Sequence, residues 1–218
     1  MTVTTPVFES HLKYIKDNGY TVISLRRYID FRLGKAPSLS LPLKPVIITV
    51  DDGHRSVYTE MLPLVKKYRI PVTLFIYPSA ISNASYAMTW DQLRELEKTG
   101  LFEIQSHTYW HPNFKKEKRR LAPGEYIKFL DMQMTKSKQR LEREVGTKID
   151  MLAWPFGICD EELLVEAQKR GYSATFTIER RSAKGSDPVV ALPRYLMTND
   201  NRGKVFERMM AMGSGFES

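Results

Sequence analysis

The chain has 218 residues, 42% hydrophobic and 27% charged, which fits one α/β domain of ~200–250 residues and is too polar for a membrane-embedded protein. Thirty-three Lys and Arg against 25 Asp and Glu leave a net charge of +8. The densest run, Lys115-Lys116-Glu117-Lys118-Arg119-Arg120, lacks interleaved aromatics, so it reads as a loop that is either simply solvated or attracts a polyanion such as an anionic cell-surface polymer, with no nucleic acid expected.

Phe8, Leu12 and Ile15 form a helical stripe that stops at Asn18-Gly19, and residues 21–25 follow as a strand. Residues 26–33 predict a helix, and 36–45 a proline-rich, turn-prone connection. Residues 46–50, all apolar or β-branched, predict a strand buried on both faces. Val57, Met61, Leu64, Val65 and Tyr68 share a helical face before a strand at 72–76. Thr89 and Gln92 have capping-box spacing for a helix ending near Gly100, and a strand at 102–106 precedes His107. Tyr126, Phe129, Leu130, Met134, Leu141 and Val145 mark one long helix. A strand at 149–153, a helix at 161–170, a strand at 173–178 and a final pair at 189–192 and 204–212 complete six or seven strand–helix units. This alternation predicts a parallel sheet wrapped by helices, close to a barrel, in one domain over 1–218.

Chemistry-bearing residues follow the strands. Thr49-Val50-Asp51-Asp52-Gly53 ends a strand in an acid pair and a turn, and His107-Thr108-Tyr109-Trp110-His111-Pro112 follows another. One Asp and two His can hold a divalent ion with a coordination position free for water, which leaves the second Asp as a base. The i, i+4 spacing of His107 and His111 predicts a helical turn with both imidazoles on one side. Such residues belong at the C-terminal rim of a barrel. The single Cys159 excludes an intrachain disulfide and reads as a small packed residue. No export signal is visible at Met1-Thr2-Val3-Thr4-Thr5-Pro6.

Together, T-V-D-D-G, H-T-Y-W-H-P and Ala153-Trp154-Pro155-Phe156-Gly157, in this order, resemble the first three motifs of the polysaccharide deacetylases, the NodB-homology or carbohydrate esterase family 4 enzymes. The resemblance implies a distorted (β/α)7-type barrel, open to the absence of its N-terminal strand. It implies one divalent metal on Asp52, His107 and His111, with Zn favoured and Co, Ni or Fe able to substitute. Asp51 would be the general base and the Phe156 backbone N–H an oxyanion donor. Pro155 is expected to fix that turn and, with Trp154, to contact the sugar, and core packing is an equal reading for Trp154. The usual Arg of the third motif is Ala153 here, and Arg194 is expected to orient Asp51 in its place. The Ala-Trp-Pro-aromatic-Gly form and the opening from Phe8 to Tyr20 resemble the subgroup that deacetylates poly-β-1,6-N-acetyl-D-glucosamine.

The expected partner is therefore an N-acetylglucosamine polymer and the expected location extracellular or at the cell surface, through a signal or anchor outside these residues. Peptidoglycan or chitin oligomers, or a catalytically silent carbohydrate-binding role, are the alternatives. The proton donor to the leaving amine stays open: the family's usual donor position reads Leu192-Pro193-Arg194, and His11 and His54 are the remaining histidines.

Overall fold

The structure, a computed structural model, describes residues 3–35 and 40–213; part of the proline-rich connection lies outside the described residues. Seven parallel strands form two sheets among these residues. Strands β3 (Thr49–Asp51), β4 (Val72–Ile76), β5 (Phe102–Ser106), β6 (Met151–Ala153) and β7 (Ala174–Phe176) run in sequential order, and β1 (Thr21–Val22) pairs with β2 (Pro45–Val46) beside them. Since β2 runs into β3 after two residues, the two sheets form one curled wall.

Period-two alternation divides each strand between two apolar layers. Val72, Leu74 and Ile76, with Ile104 and Leu152, face the outer helices. Phe75, Met151, Ala153, Ala174 and Phe176 face inward, where they meet Ile29, Tyr28 and Leu25 of helix α2 (Leu25–Arg32). Helix α2 therefore fills the barrel interior instead of covering its outside. The outer layer comprises α3 (Leu62–Tyr68), α4 (Trp90–Lys98), α5 (Phe114–Arg120), α6 (Pro123–Asp131), α7 (Ser137–Val145) and α8 (Glu161–Lys169). Helix α1 (Thr5–Asp17) packs with α9 (Lys204–Met212) in a separate cluster of Ile15, Phe206 and Met209.

Four expectations need correction. The strand expected at 189–192 is a 3₁₀ turn over Val189–Ala191, with Leu192 bridging Phe176. The strand predicted at 46–50 breaks at Ile47–Ile48 and is only half-buried, because Val46 to Val50 border a cavity of about 1330 Å³ running from the acid pair toward α1 and α9. The basic run is helical: the Asn113 side chain accepts from Lys116 N–H and starts α5. The strand predicted at 21–25 stops at Val22 because Ser24 caps α2.

Arg26 fixes the interior helix. Its guanidinium bonds Glu103 at 2.8 Å and buried Asp150 at 2.6 Å, and Gln105 Oε1 accepts from the N–H groups of Asp150 and Met151. Gln105 thus supplements the single register pair between β5 and β6. Burial alone would raise the Asp150 carboxyl, but Arg26 and then Lys148 overturn this and hold it below the usual carboxylate range. Its stabilising effect is complete above the unfolded-state value and is lost as pH falls through the depressed one. Removing one partner of a buried pair leaves the other charge unmatched, so Arg26→Ala should cost about 3 kcal/mol in urea denaturation, with the deficit shrinking toward acid pH.

Candidate metal centre

The first carboxylate pair stands at the end of β3. Asp51 continues the inward parity of Thr49, and Asp52 leaves the strand in the left-handed region, φ 75°, ahead of Gly53 at φ 74°. At this positive φ a side chain on residue 53 would be strained, and its Cβ would press on Ile81 Cδ1 at 2.9 Å, so the turn favours glycine there. His107 extends β5, its N–H bonded to Ile76 C=O at 2.8 Å.

His107 Nδ1 lies 2.7 Å from the Ala153 carbonyl oxygen. Since a carbonyl only accepts, Nδ1 carries the proton, which leaves the Nε2 lone pair free as a ligand. The Nε2 atoms of His107 and His111 lie 3.5 and 3.6 Å from the same Asp52 Oδ1. Donor atoms held ~2.0–2.1 Å from a tetrahedral ion stand ~3.4 Å apart. The separations and the Asp-His-His donor set therefore fit one divalent ion. Burial, and then neighbouring His107, lower the His111 pKa and favour its neutral, ligating form.

The histidines converge by a different route from the predicted helical turn. Residues 107–113 form an irregular loop with left-handed Thr108 (φ 66°) and His111 (φ 63°). Four of the six described non-glycine residues at positive φ (Asp52, Thr108, His111 and Phe156) belong to this centre, a concentration of strain expected where function rather than stability sets the backbone.

Arg194 clamps Asp51 outside the ligand set. Nη1 and Nη2 bond its two oxygens at 2.8 and 2.9 Å. The guanidinium is itself fixed by the Thr49 hydroxyl and the Thr177 carbonyl and lies 5.2 Å from the Phe75 ring centroid. Burial pushes the Asp51 carboxyl up, but the Arg194 charge, with His107 and His111 behind it, brings it below its ordinary range. The group is an ionised, oriented acceptor.

The third motif forms a tight turn after β6, closed by Gly157 N–H to Trp154 C=O at 2.9 Å and Ile158 N–H to Pro155 C=O at 3.1 Å. The Phe156 N–H is not among the donors that close it. Gly157 is obligatory, because a Cβ would lie 2.9 Å from Ile178 N. Of the two readings of Trp154, the structure supports core packing over sugar contact, since the ring is 1% exposed; Pro155 is buried as well and offers no sugar contact. The indole donates to Thr175 Oγ1 at 2.8 Å and meets Phe114 edge-on, so it serves the core. Exposed rings on the cavity that holds the ligands include Phe156 (56%), 4.6 Å from the His111 ring, and Tyr86 (41%), while Trp110 (42%), next to His111 in the loop, leans on Phe129.

His11 is remote from the centre, stacked on Phe206 and bonded to Asn201 C=O at 2.5 Å. His54 lies beside the acid pair, with Nδ1 on Ser56 and its ring stacked on Tyr86. Burial raises the Cys159 thiol, which suits a packed residue. Sequence reasoning missed Tyr77, which bonds Tyr86 through its hydroxyl and stands 5.5 Å from the His111 ring. Its place just after β4 obeys the same strand-end rule that marked the other site residues.

Residues 39–175 match the family model described as "Polysaccharide deacetylase". The chain belongs to the polysaccharide deacetylase family. Among relatives of this deacetylase, the poly-beta-1,6-N-acetyl-D-glucosamine N-deacetylase of Staphylococcus epidermidis is 26% identical over 99% of the chain and 73% of that protein. The Streptococcus pyogenes deacetylase PplD, solved with acetate, shares the fold with a TM-score of 0.83, at 21% identity over 95% of this chain and 87% of that one. IcaB from Ammonifex degensii does so with a TM-score of 0.82, at 24% identity over 98% and 91%.

Proposed function

We propose that this polysaccharide deacetylase removes N-acetyl groups from poly-β-1,6-N-acetyl-D-glucosamine, using one divalent ion, zinc in the first instance, held by Asp52, His107 and His111. The observation that carries the chemistry is the separation of roles between adjacent carboxylates: Asp52 faces two imidazole Nε2 atoms, while Asp51 is clamped by Arg194. A binding module has no use for the second arrangement. The polymer assignment is supported by the likeness, over 99% of this chain, to the staphylococcal enzyme and by the third-motif residues.

The bound ion would supply Lewis-acid polarisation of the acetamide carbonyl and acidify a water. Asp51 accepts the proton of the attacking water, and Arg194 keeps both carboxylate oxygens in register for it. The Phe156 N–H, which takes no part in closing the turn at 154–157, would serve as an oxyanion donor. Acting on a surface glycan would require the protein outside the cell or on its face; no helix among the described residues is long and apolar enough to cross a membrane. On α5, Lys118 and Arg120 are engaged by acidic neighbours, which leaves exposed Lys115, Lys116 and Arg119 for an anionic surface polymer.

Acetate release from β-1,6-linked N-acetylglucosamine oligomers tests the reading. Zinc-loaded protein should release acetate, chelated protein should not, and restored metal should recover the rate. Release that persists under chelation, or none from metal-loaded protein on these oligomers beside chitin and peptidoglycan fragments, contradicts it. Trp110 and Phe156 replace Trp154 as sugar platforms. Truncating either to Ala should raise KM about three- to tenfold with kcat less affected, the size of one lost aromatic contact. Unchanged KM in both variants would remove the platform.

A further inference from the structure

We infer that Gln133, assisted by Ser137, is the positioning residue of the metal-ligand loop, setting the geometry of His107 and His111 from a helix that contributes no ligand. The inference rests on the metal-centre reading above. Between α6 and α7 the helix widens into a π-type turn over Met132–Lys136, a local irregularity that recurs at functional sites. Gln133 in this turn and Ser137 at the start of α7, both fully buried, project onto the loop.

Gln133 Oε1 accepts from two successive N–H groups, Tyr109 at 3.1 Å and Trp110 at 3.2 Å. These donors lie between the two histidines. The Ser137 hydroxyl donates to the Thr108 carbonyl at 2.9 Å. Ser106 Oγ lies 2.9 Å from Ser137 Oγ and accepts from Thr108 N–H at 3.2 Å. With the Ser137 proton committed to a carbonyl, Ser106 must donate to Ser137, which closes a ring of hydrogen bonds around Thr108. Thr108 is left-handed, and this ring holds it there. The Gln133 amide nitrogen has no partner among the described residues, so the side chain meets the loop through its acceptor oxygen. The π-type turn has its own support: the Tyr172 hydroxyl donates to the Met134 carbonyl at 3.0 Å.

Metal ligation is sensitive to such outer contacts because ring orientation decides whether a lone pair points at the ion. Gln133→Met keeps the shape and removes the acceptor, so it should weaken zinc affinity about 10- to 100-fold in chelator competition and alter the visible spectrum of bound Co²⁺. Gln133→Glu, which retains acceptor oxygens, should recover most of the affinity. Leu130→Ala, one turn away in the same core, should lower the melting temperature while leaving affinity and spectrum in place. Wild-type affinity and spectrum in Gln133→Met, or an equal affinity loss in Leu130→Ala, would overturn the inference. Should Gln133→Met fail to fold, Ser137→Ala provides the same measurement, and unchanged zinc affinity there would also overturn it. Wild-type protein that takes up no ion removes both the metal centre and this inference. Metal uptake without acetate release removes only the deacetylase reading.

Discussion

Asp51→Asn should lower kcat for N-deacetylation by about 10³–10⁴-fold while leaving zinc affinity close to wild type. The asymmetry follows from the division of labour at the end of β3. Both Asp51 oxygens are engaged by Arg194, whereas Asp52 Oδ1 faces the two imidazoles. An amide at position 51 keeps most of the shape but cannot accept a proton from water. Stopped acetate assays beside chelator competition on the same preparation check both halves. Equal loss of metal and activity would make Asp51 a ligand, and retained activity would move the base elsewhere.

Arg194→Met should cost about 10²-fold in kcat at neutral pH and move the acid limb of the pH–rate profile upward. In the wild-type site, burial raises the Asp51 carboxyl and the guanidinium, followed by the two histidines, more than reverses it. Because the folded-state pKa is depressed, the ionised form contributes stability that is present above the ordinary carboxylate pKa and lost as pH falls through the lowered one. Without Arg194 the burial effect survives and its largest counterweight is gone, so a larger fraction of Asp51 is protonated, and inactive as a base, at any given acid pH. Arg194→Lys should recover part of the charge effect but not the bidentate orientation. A profile of wild-type shape, only lower in amplitude, would show that Arg194 acts on orientation alone.

Most strand–helix units were legible because their cues are local: Thr89 and Gln92 form the reciprocal cap that their spacing predicted, and 72–76 and 102–106 match β4 and β5. The acid pair and the histidines were legible through the strand-end rule. Features set by long-range contact were not. The break at Ile47–Ile48 depends on the cavity beside it, the burial of Trp154 on Thr175 and Phe114, and the loop conformation on Gln133, 24 residues from Tyr109. Helical spacing brought His107 and His111 together in the prediction, and left-handed backbone brings them together in the fold. The same pairing thus arises from a different cause.

That backbone has an evolutionary implication. Left-handed conformations at non-glycine residues typically cost about 1–3 kcal/mol each, and Thr108 and Phe156 carry it without being metal ligands themselves. Selection for stability alone would let both positions drift to glycine or asparagine, which adopt this backbone more readily. A descendant freed from its substrate would relax at 108 and 156 before its core changed, making these two positions a readable record of whether a lineage still uses the site.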